Sequence, residues 1–388
     1  MRRGRQGWGA VAHRAGLVVL LASVPGCDVT EPGEVAAAAT VLEWVAIDLE
    51  RPLNYEAIEY PRHYDGNVLA RDNAPATNPV TDEGAALGRV LFFDRELSVN
   101  RTMSCASCHA QENGFTDSNV LSEGFAGELT GAHSMRLANA RFYVGDEMFW
   151  DRRADSVEDQ VLQPIQDPVE MGFSAEAGGL PSLLQRMEGL AYYPILFDWA
   201  FGSPAITEAR LQQALAQYVR SMVSTGSRFD VAFAQAAPNG PQAPATLPGF
   251  TAEENLGFQL FVRPPDQGGA GCARCHQSPT FALDDDSRSN GLDVGETTVF
   301  KSPSLKNVAV GGPYMHDGRF GTLEEVVQHY STGVQPGPAL DRRLLNRAGQ
   351  PARPGFSATD VAALVAFMET LTDTDLLTAE RFNDPFIR

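Results

Sequence analysis

Cys105-Ala-Ser-Cys108-His109 decides how this chain is read. Two cysteines spaced by two residues and followed at once by histidine form the attachment signature of c-type haem. The thiols add across the haem vinyl groups, and the neighbouring imidazole is placed to ligate the iron. The pattern returns as Cys272-Ala-Arg-Cys275-His276. A zinc ribbon would set its two C-x-x-C knuckles about 15–20 residues apart, far closer than these. A thioredoxin-like redox pair needs no following histidine and has no reason to occur twice. Two covalently bound haems are therefore expected.

Outward from the motifs the sequence repeats itself. Thr81 opens a helical pattern carrying Leu87-Gly88 and Leu91-Phe92, and the capping box Thr251-x-x-Glu254 opens another carrying Leu256-Gly257 and Leu260-Phe261. L-G-x-x-L-F thus precedes each haem motif by a similar distance, which predicts two tandem cytochrome c-type haem domains. The expected fold is mainly α with extensive loops, because strand signals are sparse while Gly (36) and Pro (25) are plentiful. Glu208 to Ser224 has amphipathic spacing, with Leu211, Leu215, Tyr218 and Met222 on one face. Ser357-x-x-Asp360 caps a last helix bearing Leu364, Phe367 and Leu371. The run from Ala236 to Gly249 has linker composition. It divides an N-terminal haem domain (81–237) from a C-terminal one (250–388), with the linker at 238–249. Residues 27–80 read as a tether and an irregular arm wrapping the first domain.

Residues 1–26 read as an export signal, with Arg2, Arg3, Arg5 and Arg14 ahead of the short apolar run Ala15 to Val24. Cys27, the odd cysteine, follows Val24-Pro25-Gly26, which resembles a lipoprotein cleavage box despite the proline. A lipid anchor on Cys27 and a plain signal-peptide end both stay open. Haem of this type is attached after export, so a periplasmic location is expected. No other stretch is long and apolar enough to span a bilayer. The formal net charge is −19, more negative still once the leader arginines are removed. Such a surface excludes nucleic acid as a partner, and it serves solubility or steers in a basic redox partner.

Each iron's sixth position decides between electron transfer and reaction with peroxide or oxygen. Outside the leader and the motifs, the histidines are His63, His133, His316 and His329. Thr322-x-x-Glu325 caps a helix with Leu323, Val326, Val327 and Tyr330 at core spacing, which puts Tyr330 on the buried face and points His329 elsewhere. A buried tyrosine needs a partner for its hydroxyl, and both an ordinary core contact and a haem iron meet that need.

Several stretches together resemble the bacterial di-haem cytochrome c peroxidase and MauG superfamily. They are the two C-x-x-C-H motifs, Phe149-Trp150-Asp151-Arg152-Arg153, Pro164 to Gly172, and Ser302-Pro303-Ser304-Leu305 running on to Tyr330. The resemblance extends from about Asn78 to the C terminus. It implies a distal ligand to the second haem at Tyr330, where the peroxidase branch has methionine and MauG-type enzymes have tyrosine; Met315 and His316 are weaker candidates. It implies a peroxide pocket at the first haem lined by Gln160, Pro164 and Glu170, with Glu170 moving the proton that O–O cleavage requires. On its own, Glu170 reads as a solvated loop acid, and only the resemblance gives it this role. Trp150 is implied as the residue between the haems, and calcium is implied at the carbonyls of Gly311 and Pro313. The calcium's side-chain donor falls at His133, a poor partner for a hard cation. No histidine matches the one that blocks the first haem in the peroxidase branch. The resemblance thus implies an enzyme that takes hydrogen peroxide at the first haem. Its electrons would come through the second haem from a small cytochrome c or a cupredoxin. Peroxide-dependent oxidation of a partner protein and a non-catalytic electron carrier are the alternatives. Since many relatives dimerise, the resemblance implies a homodimer as one expected assembly.

Overall fold

The computed structural model describes residues 39–143, 145, 147–236, 244–282 and 286–387. The stretch read as an export leader, Cys27 and the first part of the linker lie outside the described residues. Helices begin where the capping residues stand. α1 (Asp82–Phe93) starts at Thr81, whose hydroxyl accepts the Gly84 N–H at 3.0 Å. α2 (Glu208–Ser221) starts at Thr207. α3 (Ala252–Val262), α4 (Leu323–Gln328) and α5 (Ala358–Glu369) each open on a reciprocal capping box: Thr251 with Glu254, Thr322 with Glu325 and Ser357 with Asp360. Among the described residues, extended pairing is limited to isolated bridges, and no helix is long and apolar enough to cross a membrane.

The repeated glycine has a packing role in both halves. A methyl group on Gly88 of α1 would run into the Ala214 carbonyl of α2, and one on Gly257 of α3 would run into the Ala363 carbonyl of α5. Each glycine lets two helix backbones approach, and the repeat's Leu and Phe then fill the core beside them. In the first half, Leu91 and Phe92 pack with Phe115 and Tyr218. In the second, Phe261 packs with Phe281 and Phe367 at ring distances of 5.8 and 5.0 Å. Gly257→Ala is expected to destabilise the protein by about 1–3 kcal/mol through overpacking, more than the ~1 kcal/mol that better helix propensity returns. A lowered urea midpoint with an unchanged m-value would be the signature; an unchanged midpoint would refute the close crossing.

The two cores do not follow the linker at every point. Phe229 and Ala232, upstream of it, belong to the second core, whereas Leu376 and Phe382 of the C-terminal tail belong to the first. Side chains of the first half hold that tail's backbone: the Gln111 side-chain amide donates to Leu376 O, and Arg89 Nε donates to Asn383 O at 2.7 Å. The N-terminal arm packs Val41, Val45, Ile47 and Tyr55 into the first core, then reaches further. His63 Nε2 lies 3.1 Å from Asp230 Oδ1, and the other carboxylate oxygen pairs with Lys306, all three side chains being almost wholly buried. The arm therefore clasps both halves.

Candidate haem pockets

Cys105–Cys108 form a single helical turn capped by Ser104 and Ser107, and the His109 N–H continues it by donating to Cys105 O at 2.9 Å. His109 Nδ1 sits 3.0 Å from the Phe115 carbonyl. A carbonyl only accepts, so Nδ1 carries the proton and Nε2 keeps its lone pair. The second half repeats the device, with His276 Nδ1 3.4 Å from the Phe281 carbonyl. Both phenylalanines are buried and hold left-handed backbone, φ +62° and +53°. Such conformations are uncommon for bulky residues and cluster at functional sites. Among the described residues, Cys105, Cys108, Cys272 and Cys275 form no disulfide. Burial, with the neighbouring thiol second, pushes Cys105 and Cys272 up to about 12. Two neutral thiols and one imidazole whose Nδ1 is already engaged fit haem c in each half.

The internal match runs well beyond L-G-x-x-L-F. Met148 and Ala154 close one loop by an antiparallel bridge, and Tyr314 and Phe320 close its counterpart. Left-handed residues fall at the same places within the loops, Phe149 and Arg152 in one, Met315 and Gly318 in the other. Ser156 and Thr322 then cap the helices that follow. Counted from those caps, Trp150 corresponds to His316 and Pro164 to Tyr330. The signal is legible as F-W-D-R-R against M-H-D-G-R, but it emerges only when the halves are laid on each other past the haem motifs.

Of the residues the resemblance assigns to the first pocket, Gln160 is partly buried and ends the short helix Val157–Gln160, and Pro164 lies in the first turn of the next, Gln163–Gln166. The loop after it is pinned. Asp167 Oδ1 accepts the N–H groups of Val169 and Glu170 at 2.8 and 3.0 Å, and Glu170 O accepts from Phe125 N at 3.1 Å. The Glu170 carboxyl is pushed up to about 7, first by burial and then by the charge of Asp167, with Arg153 opposing. Its own charge helps raise the Cys105 and Cys108 thiols, which puts it within electrostatic reach of the first haem motif. Arg153, which sequence reading did not single out, lies over the Phe149 ring at 3.5 Å.

At the second pocket the helical periodicity breaks. α4 passes into a π-type turn at His329–Gly333, whose wider winding moves each residue off the expected face. His329, expected to point away, is buried, with Nε2 3.1 Å from Asn290 O. Tyr330 is partly buried; burial raises its phenol, the nearby Asn290 side chain opposes that, and it lies within electrostatic reach of Cys275 and Cys272. Met315 Sδ accepts from the same Asn290 amide at 3.3 Å. His316 is used elsewhere: its ring stacks on Phe300 at 4.0 Å and meets Trp150 edge-on at 6.4 Å. Trp150 donates Nε1–H to His133 O at 2.6 Å and accepts from Lys301 N, so it spans the junction between the halves.

Two of the three implied calcium donors, the Gly311 carbonyl and the His133 ring, are already engaged. The Gly311 carbonyl already accepts Arg136 Nη2–H at 3.2 Å. The His133 ring is engaged on both sides, Nδ1 by the carbonyls of Asn119 and Val120 and Nε2 by the Thr116 hydroxyl.

Two helical units, each presenting a thiol pair beside a carbonyl-anchored imidazole, define a two-haem cytochrome. The chain belongs to the di-haem cytochrome c peroxidase family, whose profile matches residues 82–237 and 251–336. It is 34% identical over 313 residues to the methylamine utilization protein MauG of Methylorubrum extorquens, covering 76% of this chain and 80% of that one. It is 28% identical over 314 residues to the cytochrome c551 peroxidase of Nitrosomonas europaea, covering 76% and 82%. The crystal structure of a MauG-like protein associated with microbial copper homeostasis superposes with a TM-score of 0.64 at 28% identity, over 86% of this chain and 99% of that one. The chain is thus an oxidoreductase of a peroxide-using, two-haem family.

Proposed function

We propose that hydrogen peroxide is reduced at the pocket of Cys105, Cys108 and His109, with electrons relayed from the pocket of Cys272, Cys275 and His276. The observation that carries this reading is the asymmetry of matched residues: Pro164 offers no atom to an iron, whereas its counterpart Tyr330 offers a phenol oxygen. Covalently bound haem supplies the iron and the redox equivalents at each site. Glu170 as carboxylate takes the proton from the near oxygen of peroxide and delivers it to the far oxygen, which leaves as water. With two electrons and two protons, peroxide becomes two waters. The Asp167 turn fixes the carboxylate, Gln160 stands ready to hydrogen-bond the reacting oxygens, and Trp150 bridges the two halves. Export to the periplasm and a small cytochrome c or cupredoxin donor complete the proposal, with Cys27 open between a lipid anchor and a plain signal-peptide end.

Tyr330 favours a second reading, peroxide-dependent oxidation of a partner protein, in keeping with the similarity to proteins named MauG. Low-temperature EPR of the oxidised holoprotein tests the common core. One high-spin and one low-spin ferric signal, both lost after one equivalent of peroxide, are expected. Two low-spin signals indifferent to peroxide would overturn the open first pocket.

A further inference from the structure

Arg136 is 6% exposed, and among the described residues no carboxylate pairs with it. Its guanidinium is spent on backbone carbonyls alone. Nη1 donates to Asn113 O at 2.5 Å and to Gly114 O at 3.4 Å, and Nη2 donates to Gly311 O at 3.2 Å. A methyl on Gly114 would collide with Nη1, so the glycine makes room for the arginine. The partners come from both halves. Asn113 and Gly114 lie in the loop between His109 and Phe115, which orients the first imidazole. Gly311 leads into Tyr314–Phe320, the loop that sets His316 against Trp150.

Neutral carbonyl oxygens around a buried positive charge are the donor set a hard cation would use. Here a guanidinium has taken it. A dication bound at Gly311 O would stand against a fixed positive charge that no carboxylate among the described residues pairs with. We infer that Arg136 is the built-in cation of the domain junction, replacing calcium, and that it acts as a positioning residue holding the first haem loop against the Trp150–His316 contact. The inference rests on family membership and on this geometry, not on the direction of electron flow. Its failure is therefore distinguishable from failure of the peroxidase reading.

The test uses the holoprotein. Wild type dialysed against EDTA is expected to contain no calcium by elemental analysis. Its EPR spectrum and the midpoint potentials of both haems should be unchanged by chelation or by added Ca²⁺. Loss of calcium on chelation, with a spectrum restored by Ca²⁺, would overturn the inference. Arg136→Gln, which keeps amide donors but removes the charge, is expected to shift both midpoint potentials and to gain a response to Ca²⁺. Arg136→Lys should restore the wild-type potentials and indifference to calcium. An Arg136→Gln protein with full haem content, unaltered potentials and no calcium response would also overturn it. If that variant does not fold, the metal content and EDTA response of the wild type decide alone.

Discussion

Glu170→Gln is expected to lower kcat/KM for peroxide by about 10²–10⁴-fold, the usual contribution of a positioned acid–base group. The variant keeps the volume and the Asp167 turn, so haem content should not change. What disappears is the ability to hold a proton and give it back. The pH profile supplies a second readout. With its carboxyl pushed up to about 7 by burial and Asp167, wild type has less of the basic form as pH falls through 7, and kcat/KM should fall with it. The glutamine variant should lack that limb. Arg153→Ala removes the opposing positive charge, so the limb should move to higher pH. The same shift has a stability consequence whose sign is fixed. A carboxyl with a folded pKa above its unfolded value near 4.5 favours the fold while protonated, and that contribution is lost as pH climbs from there through 7. Relative to Glu170→Gln, wild type should therefore become progressively less stable over that interval. An unaltered pH profile in the glutamine variant would remove Glu170 from the mechanism.

Much of this architecture is legible from residue order. Thr81, Thr251, Thr322 and Ser357 each cap a helix because a short hydroxyl side chain satisfies N–H groups that the first turn leaves open. The repeated Gly88 and Gly257 mark helix crossings because those positions leave no space for a Cβ. Other features depend on distant partners and escape local reading. Leu376 and Phe382 carry no mark that sends them back to the first core. His63 reveals its role only when Asp230 and Lys306 arrive beside it. The π-type turn at His329 breaks the 3.6-residue spacing on which the orientation of Tyr330 was expected. Arg136 looks like a surface arginine until three carbonyls close on it.

Tyr330→Met is expected to raise the midpoint potential of the second haem by on the order of 100 mV, within the roughly 0.8 V over which axial ligands tune haem. A neutral thioether favours reduced iron, whereas an anionic phenol oxygen favours oxidised iron. Spectroelectrochemistry reads the shift, and EPR reports whether that site stays low-spin. Tyr330→Phe is the companion variant, keeping ring volume but offering no oxygen, and it should convert the same signal to high-spin. The pair also separates the two functional readings. A relay haem with thioether ligation should still pass electrons to the first pocket, so peroxide turnover with a small reduced donor should survive Tyr330→Met. Oxidation of a partner protein, which needs oxidising equivalents held at the second haem, should be lost. If neither potential nor spin state moves in either variant, Tyr330 is not the ligand. Met315, whose sulfur accepts from the Asn290 amide at 3.3 Å, then becomes the donor to replace next.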